Sequence, residues 1–250
     1  MTDPQPTPAA TLIVFRDRKG APPELLIVKR ASVMSFAAGA LVFPGGRVDP
    51  GDHVLAAGAA DPEDGAARVA AIRETLEESG IAIGFDPMPD PETVAALRQA
   101  MVDGMAFGEA IARGGWRLDL DMLVPWARWC PNFRETRAFD TRFYIARLPE
   151  NAPEPSVDAS ENTHIFWADA DTVLDRARSG AARVIFPTWR NLERLALFAD
   201  FDAAAAYSAN YPIRLIRPWV EQRESGPYLL IPDDLGYPVT EQPLSEVSRA

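Results

Sequence analysis

Cysteine and histidine are almost absent from this sequence. Cys130 is the one cysteine, and His53 and His164 are the two histidines. A lone thiol cannot form an intramolecular disulfide, so we expect a reducing, cytoplasmic setting with Cys130 buried and unreactive. Metal sites rich in histidine or cysteine are excluded. Any metal site would have to use carboxylate oxygens.

Positive charge is also scarce. The 250 residues include 25 Lys and Arg against 36 Asp and Glu, a formal net charge of −11. A general nucleic-acid-binding protein needs a positive surface that displaces counterions, so binding to a nucleic-acid polymer is excluded. An anionic small molecule would have to be held by local arginines or by a metal ion.

The sequence contains no apolar run long enough to span a membrane. Its first ten residues, MTDPQPTPAA, have neither the basic nor the apolar part of a signal peptide. Hydrophobic residues make up 47% of the chain, enough to fill a core. We predict a flexible N-terminus over 1–10, one domain over 11–208 with a helical insert at about 88–115, and a C-terminal extension over 209–250 that wraps on the domain.

The most informative stretch is residues 43–81. Good helix formers without proline predict a helix over 70–79, and Gly80 fits its end. One face of this helix carries three carboxylates at i, i+3 and i+4, those of Glu74, Glu77 and Glu78. Their repulsion needs compensation, and oxygen ligands alone suit Mg²⁺ or Mn²⁺. The alternative is a solvated acidic face.

A glycine-rich loop, Pro44-Gly45-Gly46, precedes this helix and would let the backbone approach a phosphate-bearing ligand. The loop and helix together resemble the signature of the Nudix hydrolases, G-x5-E-x7-R-E-U-x-E-E-x-G-U, where U is aliphatic. Gly46 matches the first glycine. Residues 73–81 match the second half, with Thr75 at the first aliphatic position.

The chain departs from this signature in two ways. The spacing from Gly46 to Arg73 is longer than the signature allows, which predicts an insertion within roughly residues 49–64. Counting back from Arg73 places Gly65 where the isolated glutamate is expected. The candidates to replace that glutamate, which mostly supports the loop in this family, are Asp52, Glu63 and Asp64.

The resemblance implies an α/β protein of the Nudix fold, a mixed β-sheet sandwiched between helices in an α/β/α arrangement, here with the helical insert and C-terminal extension. It also implies water attack on a diphosphate with no covalent intermediate. Glu74, Glu77 and Glu78 would hold Mg²⁺ or Mn²⁺, and Arg73 would orient them. Gly45 and Gly46 would bring the loop backbone close to the metal or the phosphates.

A narrower signature precedes the loop. Residues 26–46 resemble the L-L-T-x-R-[SA]-x3-R-x3-G-x3-F-P-G-G segment of Nudix enzymes that cleave coenzyme A. Arg30, Ala31, Gly39 and the FPGG run match it in register, whereas Val28 and Ser35 replace the threonine and the second arginine. The resemblance implies coenzyme A or an acyl-CoA as substrate, Arg30 as a binding residue, and 3′,5′-ADP with (acyl-)phosphopantetheine as products. For Arg30, the alternative is a surface charge at a strand end.

Other substrates and another class of function stay open. ADP-ribose, NADH and an oxidised nucleotide are the alternative diphosphates. A Nudix-fold binding module that has lost hydrolysis is the alternative outside the enzymes. The helical insert could cover the substrate cleft or mediate homodimerisation.

Residues further along the chain complete the predicted site. Residues 137–144 are similar to an R-R-F-D-T-R-F-F stretch of the CoA branch, so Arg137 and Arg142 are predicted to bind substrate phosphates, with surface ion pairs as the alternative. Glu161 is predicted as the further carboxylate, a metal ligand or general base, that many Nudix enzymes supply. Glu135 is its rival. Three aromatic residues are predicted to lie in the core, with adenine stacking as the alternative, namely Trp126, Trp129 and Phe133.

Overall fold

A mixed sheet forms the centre of the protein. The computed structural model describes residues 5–31, 37–130, 138–157 and 162–247, and nine of the strands within them make up this sheet. The strands of the described chain are β1 (Thr7–Arg18), β2 (Ala21–Arg30), β3 (Ala40–Val42), β4 (Gly45–Arg47), β5 (Phe85–Asp86), β6 (Arg117–Leu118), β7 (Val124–Trp129), β8 (Phe139–Arg147), β9 (Asn162–Ala168), β10 (Arg183–Val184), β11 (Leu215–Ile216), β12 (Trp219–Arg223), β13 (Gly226–Leu230) and β14 (Glu241–Pro243).

Helices cover the sheet and extend from it. They are α1 (Pro50–Leu55), α2 (Pro62–Ser79), α3 (Pro91–Val102), α4 (Phe107–Gly114), α5 (Ala170–Arg178), α6 (Phe186–Leu195), α7 (Phe201–Ser208) and α8 (Leu244–Val247), with a short 3-10 turn at Leu120–Met122. No helix in the described part of the chain combines the length and apolar character that a membrane crossing needs.

The central strands are covered on both faces. The main path of the sheet runs β10-β3-β2-β1-β8-β7-β11, with β4 paired to β1 and β9 to β2. In β1, Leu12 and Val14 pack with α2, whereas Ile13 and Phe15 pack with α5 and α6 on the other face. Side chains alternate along a strand, so a strand that is apolar at every position is buried on both sides. The predicted α/β/α layering is confirmed.

The helix that carries the three carboxylates is longer than predicted. It starts at Pro62, where the side chain of Asp61 accepts hydrogen bonds from the backbone amides of Glu63 and Asp64. It ends at Gly80, whose φ of 72° lies in the left-handed region that glycine adopts without steric cost. The predicted end of the helix is therefore correct, and its predicted start at residue 70 is too late.

Both ends of the chain differ from the prediction. Strand β1 begins at Thr7, so residues 7–10 belong to the sheet and not to a flexible terminus. The C-terminal extension, predicted as an extended wrap, forms the three-stranded antiparallel sheet β12-β13-β14 and α8. Its apolar side chains, including those of Leu229, Ile231 and Leu235, belong to the same hydrophobic cluster as α6.

Buried hydrogen bonds join this extension to the central sheet. Trp126 and Trp129 are fully buried, as predicted for core residues. The indole of Trp129 donates to the hydroxyl of Tyr237 at 3.0 Å, and that hydroxyl donates to Oδ1 of Asn191 at 3.0 Å. The indole of Trp126 donates to the same Oδ1 at 3.0 Å. The extension is therefore part of the folded core.

Replacing Tyr237 by Phe tests this connection. The change leaves the buried N–H of Trp129 without its acceptor, so we expect the free energy of unfolding to fall by about 1–3 kcal/mol in urea denaturation. The control is Tyr228→Phe in β13, whose hydroxyl has only an exposed 3.5 Å contact with Ser225. Equal losses in the two variants would show that the network does not stabilise the core.

Candidate active site

Arg73 lies at the centre of the predicted site, in the middle of α2, and is buried. Its Nε and Nη2 donate to the two carboxylate oxygens of Asp52, each at 3.0 Å. Nη2 also donates to the backbone carbonyl of Arg47 at 2.9 Å, and Nη1 donates to Glu74 at 2.8 Å and to Glu77 at 3.4 Å. Burial alone would lower the pKa of Arg73, but these carboxylates raise it above its usual value. The guanidinium thus stays charged and fixes both the loop and the helix.

Asp52 lies where the isolated glutamate is expected when the signature is counted forward from Gly46. Five residues separate it from Gly46, as the first half of the signature requires when it is counted forward. Its carboxylate is buried, and it also accepts a 2.8 Å hydrogen bond from the backbone amide of Asp49. Of the other two candidates, Glu63 is exposed and Asp64 binds elsewhere. The extra residues therefore lie between Asp52 and Arg73, and a forward count would have identified Asp52.

The glycine loop packs directly on the carboxylates. The backbone amide of Gly45 donates to Oε2 of Glu78 at 3.0 Å. A Cβ atom on Gly46 would overlap the carboxylate of Glu74, and one on Gly45 would lie 2.8 Å from the Cα of Thr11 in β1. Only glycine lets β4 pair with β1 while it contacts α2. Both glycines lie where the sequence predicted them, beside the acidic face.

Substituting alanine for Gly46 should disturb this packing. The added methyl group would displace the Glu74 carboxylate, and we expect kcat to fall by about 10–100-fold, the range found when the partners that orient a reactive group are lost. The matched control is Gly51→Ala, since an added Cβ there meets no atom within 4 Å. Steady-state kinetics on both variants decide the point, and normal turnover by Gly46→Ala would mean that the loop need not contact Glu74.

Glu77 and Glu78 have perturbed acidities. Burial raises the pKa of Glu78 to about 8; the charge of Glu74 adds to this, while Asn162, the Gly45 amide and Arg30 oppose it. Burial likewise raises the pKa of Glu77 to about 7, against the effect of Arg73. Crowded carboxylates of this kind favour protonation unless a cation joins them.

The donor chemistry of the cluster fits a hard divalent cation. Within the described residues, no three His, Cys, Asp or Glu side chains converge as a preformed metal site. Arg73 donates hydrogen bonds to the carboxylates of Glu74 and Glu77, whereas the backbone amide of Gly45 donates to that of Glu78. Oε1 of Glu78 is buried and accepts no hydrogen bond in the described structure. Oxygen ligands and a buried, unsatisfied carboxylate oxygen are what Mg²⁺ and Mn²⁺ bind.

Arg30 lies at the edge of this cluster. Its Nη1 is 4.0 Å from Oε1 of Glu78, and its side chain is mostly buried. The structure thus brings Arg30 to the carboxylates and not to an open strand end. Its predicted contact with substrate stays a prediction.

Arg142 does not reach the carboxylate cluster. It donates to Oδ1 of Asp64 at 3.1 Å, and the hydroxyl of Tyr144 donates to the same atom at 2.8 Å. Arg68 donates to the other oxygen of Asp64 at 2.6 Å. Asp64 precedes Glu74 by about 15 Å along the helix axis. Arg142 therefore fastens the start of α2 to β8, and its predicted contact with substrate stays a prediction.

Three candidate site residues fall outside the described residues, namely Glu135, Arg137 and Glu161, as does Phe133, which was predicted to lie in the core. Their predicted roles depend on the sequence alone.

Comparison with known proteins identifies the family to which the site is similar. Residues 6–98 match the profile of the NUDIX domain. The putative nudix hydrolase 7 of Caenorhabditis elegans is 27% identical over 188 residues, which cover 73% of this chain and 59% of that protein. The acyl-coenzyme A diphosphatase NUDT19 of Gallus gallus is 25% identical over an alignment of 275 positions with gaps, which covers 86% of this chain and 73% of that protein. The chain thus spans less than two thirds of the first of these relatives.

A solved structure agrees with the fold. The crystal structure of a NUDIX hydrolase from Alicyclobacillus acidocaldarius superposes with a TM-score of 0.71 and 29% sequence identity, covering 81% of this chain and 96% of that one. The predicted fold class and the resemblance in the loop and helix are both confirmed.

Proposed function

We propose that this chain, whose residues 6–98 match the NUDIX domain, hydrolyses the diphosphate linkage of a small nucleoside diphosphate derivative with the help of Mg²⁺ or Mn²⁺. The observation that carries the proposal is the buried guanidinium of Arg73. It holds Asp52, the loop carbonyl of Arg47 and the carboxylates of Glu74 and Glu77 in one hydrogen-bonded group. Such a group holds the carboxylates in a fixed orientation that packing of the core does not require.

The proposed roles follow from these contacts. Glu74, Glu77 and Glu78 would hold the cation, which supplies charge neutralisation at phosphate oxygens and lowers the pKa of a bound water. Arg73 keeps the carboxylates on one side of α2, and the Gly45 amide fixes one oxygen of Glu78. The absence of side chains at Gly45 and Gly46 leaves backbone at the rim of the site, where phosphates can approach. Glu161 is proposed as general base and Arg137 as a phosphate ligand on the sequence alone.

We propose coenzyme A or an acyl-CoA as the substrate. The upstream signature supports this, because Arg30, Ala31, Gly39 and the FPGG run match it. Arg30 also lies 4.0 Å from Glu78, which supports a role for this signature arginine in binding the substrate. The acyl-coenzyme A diphosphatases of Gallus gallus and Xenopus laevis, the latter 24% identical over 272 residues, are among the relatives. The products would be 3′,5′-ADP and (acyl-)4′-phosphopantetheine.

The test is product analysis by mass spectrometry. Purified protein is incubated with Mg²⁺, with Mn²⁺ or with EDTA, and with separate pools of free CoA, acyl-CoA, ADP-ribose and NADH. Metal-dependent 3′,5′-ADP from the CoA pools is the expected result. AMP from ADP-ribose or NADH alone would overturn the substrate and keep the chemistry. No product from any pool would favour the non-catalytic binding module.

A further inference from the structure

Asn162 is a buried polar residue at the start of β9 that the proposed reaction has not used. It pairs in register with Arg30 of β2, the residue that lies beside Glu78. Its side chain is almost fully buried, yet neither Oδ1 nor Nδ2 has a hydrogen-bond partner within the described structure. Buried side-chain amides in folded proteins are normally paired, so the amide is available to a partner that the described residues do not supply.

The unsatisfied atoms of Asn162 are close to an unsatisfied atom of Glu78. The amide of Asn162 interacts with the side chain of Glu78 and opposes the rise in the pKa of that carboxyl that burial causes. Oε2 of Glu78 accepts from the Gly45 amide, whereas Oε1 accepts no hydrogen bond in the described residues. Arg30 is 4.0 Å from Oε1, beyond hydrogen-bond distance. Two side chains from different elements thus lie near each other with oxygen atoms that the described residues leave without a hydrogen bond.

We propose that Asn162 is a further ligand of the divalent cation at Glu78, contributing its carboxamide oxygen. The inference rests on the proposed function, because it adds to the same cation site. Amide oxygens are ordinary ligands of hard cations and add no charge. A neutral ligand suits this position, since the site already contains three carboxylates on one face of α2. This ligand lies on β9, so the cation site would connect α2 to the strand that pairs with β2.

Mn²⁺ affinity of the full chain, measured by isothermal titration calorimetry without substrate, tests this ligand. Asn162→Leu keeps the size of the side chain and removes its oxygen, so Mn²⁺ should bind about tenfold more weakly. Asn162→Asp adds a charged oxygen in the same place, so Mn²⁺ should bind several-fold more tightly at pH 8. The matched control is Thr163→Val, the next residue of β9, which is exposed and should leave the affinity unchanged.

The two variants together decide the outcome. A folded Asn162→Leu protein with wild-type Mn²⁺ affinity would overturn the proposal. If the leucine variant does not fold, an aspartate variant that binds Mn²⁺ no more tightly than wild type would overturn it instead, because a purely structural asparagine predicts no gain. If the wild-type protein hydrolyses its substrate but Asn162→Leu keeps full Mn²⁺ affinity, Asn162 is not a ligand and the proposed function stands. If the wild-type protein binds no Mn²⁺, the proposed function is wrong in its use of a cation.

Discussion

Glu77→Gln is expected to lower kcat at least about 100-fold while the protein stays folded. The change removes a negative charge from the proposed cation site and leaves a side chain of the same size. Loss of groups that merely orient metal ligands costs about 10–100-fold, so loss of a ligand itself should reach the upper end or beyond. Stability should change little, because Glu77 is 37% exposed and its contact with Arg73 is long, at 3.4 Å. Initial rates under saturating Mg²⁺ provide the measurement.

The control for this prediction lies on the same helix. Glu63→Gln removes one charge from the exposed first turn of α2, about three helical turns before Glu74, and should leave kcat unchanged. A parallel titration with Mg²⁺ distinguishes weaker binding of the cation from slower chemistry. Undiminished hydrolysis by Glu77→Gln would remove Glu77 from the proposed set of metal ligands.

The sequence predicted the acidic face because that feature is local. Three glutamates within one turn and a half of α2, followed by Gly80, specify both the helix and the side on which the charges lie. The loop glycines were also predicted from local pattern. Their contacts with Glu74 and Glu78 follow once β4 pairs with β1, a long-range step that places the loop over the helix.

Other parts of the site depend on contacts that local pattern does not specify. Asp52 meets Arg73 across 21 residues, and the intervening insertion hid that pairing when the signature was counted backwards. Arg142 was predicted to bind substrate because arginine binds phosphate, and local pattern gave no sign of its contact with Asp64 at the start of α2. Asn162 carried no signal at all, since a single asparagine is unremarkable until its burial is known.

The C-terminal extension shows a similar limit. Its prolines and charges resemble those of an irregular segment, and they obscured the hairpin in which Glu221 pairs with Tyr228. Tyr237 then joins the central core through hydrogen bonds to residues more than forty positions earlier, such as Asn191. Composition predicts exposure for such a tail, whereas burial of its few apolar side chains decides its structure.

Arg73→Met should damage both stability and catalysis. The variant leaves the buried carboxylate of Asp52 without its bidentate partner, and breaking a buried ion pair in this way costs about 3–5 kcal/mol. It also frees Glu74 and Glu77 from the donor that orients them. We therefore expect a large fall in the urea midpoint together with a loss of kcat, measured at a temperature where the variant is still folded.

A second substitution separates these two effects. In the double variant Asp52→Asn, Arg73→Met, the buried position no longer carries an unpaired charge, so part of the lost stability should return. Activity should not return, because the double variant still lacks the Arg73 guanidinium that contacts Glu74 and Glu77. A double variant no more stable than Arg73→Met would show that Asp52 is not the source of the instability. One that regains activity would show that the carboxylates are oriented without Arg73, and the proposed site would then depend on the loop and the cation alone.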